Sequence, residues 1–126
     1  SMVESQQKQG FMNIKKSQKT NDLYQFGVFC LDAAERRLWR GNEPIQLTPK
    51  QFDLLFYFVE NAGRVAKKSE LLDSVWADTY VEDTTLARNV SWLRKMLEDG
   101  ADGQNIIETV PKVGYRFTPE VTRPEE

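Results

Sequence analysis

The sequence predicts an α+β domain: a small antiparallel sheet at the N-terminal side, three helices, and a C-terminal β-hairpin. Three observations carry this expectation. Short runs of β-forming residues between Tyr24 and Leu47 are cut by turn residues. Apolar stripes of helical period recur after Thr48, after Ser69 and after Val81. Two short strands then flank Pro111-Lys112-Val113-Gly114.

The totals narrow the classes of function. A chain of 126 residues with 40% hydrophobic content is long and apolar enough for one domain with a real core. No apolar run approaches the ~20 residues of a membrane span. The first 22 residues lack the apolar stretch of a signal peptide, and cytoplasmic residence is expected. With no His and a single Cys30, the chain cannot build a Ser-His-Asp or Cys-His centre, an intrachain disulfide, or a four-ligand Cys/His zinc site. Cys30 sits in the apolar run Phe29-Cys30-Leu31 and is expected to be a buried, inert thiol. No Gly-rich phosphate loop is present. No catalysis, metal or cofactor is expected.

Residues 1–22 are polar and read as a flexible leader, with Ser1 as a cleavage remnant ahead of an initiator Met2. Residues 23–119 read as the folded domain. Residues 120–126 read as a linker toward a segment beyond Glu126.

Tyr24 to Leu31 reads as a first strand, Arg37-Leu38-Trp39-Arg40 as a second, and Pro44-Ile45-Gln46-Leu47 as a third, joined by turns at Asp32–Glu35 and Gly41-Asn42. Thr48-Pro49-Lys50-Gln51 is a strong helix start: a capping hydroxyl, proline at the first helical position, and Gln three residues after the cap. Phe52, Leu55, Phe56 and Val59 form its stripe, and Leu54 and Phe58 make it almost apolar all round, as a central helix should be. Gly63 stops it. Arg64-Val65-Ala66 reads as a brief extended segment, and Glu70 to about Trp76 as a second helix.

The third helix, about 82–98, places Leu86, Val90, Leu93 and Leu97 on one stripe. Thr84, Arg88, Ser91 and Lys95 fall opposite it, with Thr85 and Trp92 on the flank. No acid lies between Thr84 and Leu97, and Glu82 and Asp83 sit at the start, where negative charge suits the helix dipole. Taken alone, such a helix is more often an ordinary surface helix. The two helices joined by Ala77-Asp78-Thr79-Tyr80 nevertheless form a helix-turn-helix, and the hairpin at about 106–118 carries Lys112 and Arg116. A basic hairpin directly after a helix-turn-helix is the pattern of a winged helix. The net charge of −2 runs against a wholly basic nucleic-acid binder, so the expectation rests on a local basic face.

From Tyr24 to Thr118 the chain resembles the C-terminal effector domain of OmpR/PhoB-type winged-helix transcription regulators. The matching pieces are Leu47-Thr48-Pro49-Lys50-Gln51-Phe52-Asp53-Leu54-Leu55, Ser69-Glu70-Leu71-Leu72 leading to Val75-Trp76, Leu93-Arg94-Lys95-Met96-Leu97, and Ile107 to Phe117. The last piece, with Glu108-Thr109-Val110-Pro111-Lys112, is most similar to the ToxR/CadC-like branch. The resemblance implies a four-stranded N-terminal sheet and a third helix that reads the major groove of double-stranded DNA. By motif position Thr84, Arg88, Asn89 and Trp92 face the groove, Arg94 touches phosphate, and Lys112, Val113 and Arg116 lie on the wing. Thr85, Ser91 and Lys95 complete the expected DNA-binding set. One departure is visible: many members place several Arg residues in the middle of this helix, where this chain has Ser91 and Trp92.

The resemblance further implies RNA polymerase as a partner at the 77–81 loop, and dimers on repeated sites, although no dimer stripe is readable. The alternative is a winged helix that binds a protein of the transcription machinery instead of DNA. The operator, the signal and the direction of regulation are not encoded in these residues.

Overall fold

In a computed structural model that describes residues 22–98 and 106–124, the chain opens with four short antiparallel strands in sequential order. These are β1 (Leu23–Phe26), β2 (Phe29–Asp32), β3 (Arg37–Arg40) and β4 (Glu43–Ile45). Of the expected leader, residues 1–22, residues 1–21 lie outside the described residues, and the Asp22 carbonyl accepts from the Ala33 amide at 2.8 Å.

The expected first strand, 24–31, is in fact a hairpin. Phe26 pairs with Phe29, and Gly27 adopts φ +57° between them. A positive φ at the first turn position suits a two-residue hairpin loop, and glycine takes it without steric cost. The continuous apolar run masked the turn, because Val28 is 52% exposed despite its chemistry. The four strands are those the resemblance implies. β4 starts one residue earlier than expected and stops at Ile45, with Pro44 on the sheet edge, where a missing N–H is tolerated.

Asp32 organises the next turn: its carboxylate accepts from the amides of Ala34 (3.0 Å) and Glu35 (3.1 Å). Arg36, four residues on from Asp32, is ion-paired to Asp53 at 2.9 Å and lies 4.6 Å over the Phe52 ring, which ties this hairpin to the first helix. Cys30 is half-buried, not buried. Burial, with Asp32 beside it, pushes the thiol above its usual range, so it stays protonated.

Helix α1 (Pro49–Glu60) starts as expected: Thr48 Oγ1 accepts from the Gln51 amide, and Gln51 Oε1 accepts from the Thr48 amide. Helix α2 runs Lys68–Val75, and α3 runs Asp83–Glu98. Between α1 and α2, the expected extended segment is a strand, β5 (Val65–Lys67). It joins the hairpin strands β6 (Ile107–Val110) and β7 (Gly114–Phe117) in a second sheet of order β5-β7-β6.

The core lies between the two sheets and the helices. Phe117 is its junction: its ring meets Phe26 of the first sheet edge-on at 5.2 Å and stacks on Phe58 of α1 at 6.3 Å. Leu86, Val90, Leu93 and Leu97 are all at most 1% exposed, so the expected stripe of α3 is its buried face.

Past Thr118 the chain turns back to β1. Thr122 exchanges two backbone hydrogen bonds with Gln25 (2.8 and 2.9 Å), and Arg123 stacks 4.0 Å over Tyr24. Residues 121–123 of the expected linker are thus docked on the first sheet. Among the described residues no helix is long and apolar enough to cross a membrane.

Candidate nucleic-acid interface

The helix-turn-helix is held from behind. Lys50 of α1 donates to the Val75 carbonyl at 2.8 Å, placing a cation at the C-terminus of α2, where the dipole favours it. Glu70 accepts from the Lys67 amide at 3.0 Å at the other end. The same carboxylate is ion-paired with Arg64 at 2.6 Å and accepts from the Tyr57 hydroxyl. Arg64, then Tyr57, then the Lys67 amide hold it down at about 2. This cluster fixes α1, β5 and α2 against one another.

With its apolar face seated, α3 presents Thr84, Arg88, Ser91 and Lys95 to solvent. Trp92 is 39% exposed on the flank. Thr85 is half-buried, and Asn89 is also half-buried, its amide donating to the Thr85 carbonyl at 2.9 Å.

The wing turn is Pro111–Val113, closed by the Val113 amide donating to the Val110 carbonyl at 3.0 Å. Lys112 stands at its tip with φ +67°, exposed, beside Val113 at 43% exposure. Arg116 behaves differently. It faces Glu108 across the strands and pairs with it at 3.2 Å. Arg94, half-exposed, is turned to the hairpin, donating from Nε to the Ile107 carbonyl at 2.7 Å and from Nη2 to the Thr109 hydroxyl.

A charge pattern follows. On the body of the domain, Arg36, Arg40, Lys50, Arg64 and Arg116 each have a carboxylate partner. Among the described residues Arg88, Lys95 and Lys112 have none. Among the described residues Arg37 and Arg123, both at the first sheet, also have no carboxylate partner, Arg123 being engaged by the Leu23 carbonyl and the Tyr24 ring. Lys67 and Lys68 also lack partners and were not singled out from sequence. Lys67 pairs in register with Gly114, and the Lys68 amide donates to the Val113 carbonyl at 3.1 Å, so both stand beside the wing tip. The available signal was two cations opening a helix, where the dipole disfavours them.

The family described as "Transcriptional regulatory protein, C terminal" matches residues 42–117. The chain belongs to this family, the OmpR/PhoB-type winged-helix DNA-binding domains. It is 38% identical over 89 residues to the phosphate regulon transcriptional regulatory protein PhoB of Escherichia coli (strain K12), covering 70% of this chain and 38% of that protein. It therefore spans well under half the length of that relative. Among solved structures, the DNA-binding domain of Escherichia coli CadC superposes with TM-score 0.74 at 30% identity, over 82% of this chain and 97% of that one. The DNA-binding domain of Klebsiella pneumoniae RstA, in complex with the RstA box, superposes with TM-score 0.67 at 31% identity, over 78% of this chain and 98% of that one. Within this OmpR/PhoB-type frame, the departure at Ser91 and Trp92 falls on the exposed side of α3, where a hydroxyl and an indole stand in place of further guanidinium groups.

Proposed function

We propose that this domain of a bacterial transcription regulator seats α3 in the major groove of double-stranded DNA and rests its wing on the adjacent minor groove or its phosphates. The supporting observation is the set of cations without a carboxylate partner on the outer side of α3 (Arg88, Lys95) and around the wing tip (Lys112, Lys67, Lys68), on a domain whose other described cations are mostly paired. Phosphate contacts supply affinity and base-edge contacts supply selectivity. Arg88 is suited to a guanine edge, with Thr84, Asn89 and Ser91 as polar readers and Trp92 set against sugar or a thymine methyl. Lys95, Lys67, Lys68 and Lys112 serve phosphates, and Val113 adds an apolar contact at the wing tip. Thr85 orients Asn89. Arg94 and Arg116, already engaged, contribute less direct contact than the open cations.

The test is a selection of duplexes from a random library, followed by titration of the enriched duplex across salt. Neutralising about four phosphates gives a log–log salt slope near about −3.6. Arg88→Ala is expected to weaken the selected duplex about tenfold and random duplex much less, because one bidentate base contact is worth about 1–3 kcal/mol. Equal losses on both duplexes would remove Arg88 from base reading.

A second surface accompanies this one. In the turn between α2 and α3, Tyr80 is 87% exposed and Asp78 and Glu82 are in solvent. An aromatic ring flanked by acids fits a basic protein surface, and RNA polymerase at the 77–81 loop is the proposed partner. Tyr80→Ala would then abolish polymerase recruitment while leaving the DNA titration unchanged. Pairing of two copies on repeated half-sites is the proposed arrangement on DNA, checked by the stoichiometry of the same titration.

A further inference from the structure

Arg94 is the α3 cation that contacts the hairpin, through two of its donors. Nε donates to the Ile107 carbonyl at 2.7 Å and Nη2 to the Thr109 hydroxyl, both on β6. Its guanidinium carbon also lies 5.9 Å from the ring centroid of Tyr115 on β7. One side chain from the helix thus grips both strands of the hairpin. On the opposite side, the hairpin is held by backbone pairing with β5, from Val65↔Arg116 to Lys67↔Gly114. To turn fully away from the hairpin, Arg94 would have to release both hydrogen bonds and its ring contact.

We propose that Arg94 is a positioning residue for DNA binding. It sets the distance and angle between α3 and the wing, so that Lys112 meets the backbone when α3 is seated, and its effect on binding runs through the wing. The proposal rests on the reading that α3 and the wing engage DNA together. The chemistry favours arginine at this position. A planar fork with several fixed donors can serve a carbonyl and a hydroxyl at once, while a lysine ammonium keeps the charge but lacks that geometry.

The test uses the duplex selected above, titrated across salt with the wild-type domain and four variants: Lys112→Ala, Arg94→Lys, Thr109→Val, and Arg94→Lys with Lys112→Ala. Lys112→Ala is expected to weaken binding about three- to tenfold and to flatten the salt slope by about 0.9. If it binds as wild type, the wing reading falls and the positioning role falls with it. Given a Lys112 effect, Arg94→Lys is expected to lose a similar factor although no charge is removed. Adding Lys112→Ala to it should then cost less than about twofold more, since a displaced wing has no contact left to lose. Thr109→Val, which removes one acceptor and no cation, should also blunt the Lys112 effect. Thermal melts of each variant keep the titrations below the unfolding range, and Thr109→Val carries the test alone if Arg94→Lys does not fold. Three results overturn the proposal with the wing reading intact: Arg94→Lys binding with wild-type affinity and slope, Arg94→Lys and Lys112→Ala losses that multiply in the double variant, or Thr109→Val leaving the Lys112 effect unchanged.

Discussion

The two sheets are built by opposite strategies. In the first, each strand pairs with the next in sequence, β1-β2-β3-β4, through short turns. Each hairpin closes within a few residues, at little loop entropy. In the second, β5 pairs with β7, so residues 65–67 meet residues 114–116 across two intervening helices. That pairing costs more chain entropy, and it accomplishes something the first sheet cannot. It places the start of α2, the wing tip and, through Arg94, the end of α3 in one rigid unit. The local sheet is support for the core. The non-local sheet is what fixes the unpaired cations of α2 and the wing relative to one another.

The sharpest way to break this contrast is at glycine. A Cβ on Gly114 would stand 1.9 Å from the Ala66 carbonyl oxygen, which is backbone and cannot swing aside. Gly114→Ala must therefore open the β5–β7 seam, and a loss of more than about 3 kcal/mol is expected in urea unfolding, with wing-dependent DNA affinity lost as well. In the first sheet, a Cβ on Gly27 meets nothing within 4 Å, and only its φ of +57° resists. Gly27→Ala should cost about 1 kcal/mol and leave DNA affinity unchanged. Equal costs at the two positions would mean that the seam is not the tighter structure.

The same contrast explains what could be read in advance. The cap at Thr48, the α3 stripe and the hairpin around Lys112 are local signals, written within about eight residues, and each was legible. The Gly27 turn was local too, but the apolar Val28 and Phe29 after it disguised the break. The pairing of β5 was not legible, because Val65-Ala66-Lys67 is three residues long and its partner lies some fifty residues away. The interface divides in the same manner. Helical periodicity places Arg88 and Lys95 outward without any tertiary knowledge. The engagement of Arg94 with Ile107 and Thr109, of Arg116 with Glu108, and the approach of Lys67 and Lys68 to the wing all depend on strands that come together only in the folded chain.

The smallest expected effect concerns how β5 is anchored away from the wing. Arg64 immediately precedes β5, and its partner Glu70 also accepts from Tyr57 of α1, so one carboxylate joins three elements. Its folded value is about 2, below its ordinary 4.5. The unfolded chain therefore takes up the proton more readily, and stability rises with pH across this window. The contribution is fully present above about pH 4.5 and is lost as pH falls toward about 2. Because the Glu70 side chain keeps 24% of its surface in water and Arg64 keeps 51%, screening makes the effect modest. Thermal melts compared at about pH 5 and about pH 3 should show the wild type losing a few degrees more than Glu70→Gln, which cannot titrate at this position. If both lose the same amount, the acid sensitivity belongs to other carboxylates, and β5 is held by its backbone pairing and by packing, not by this charge.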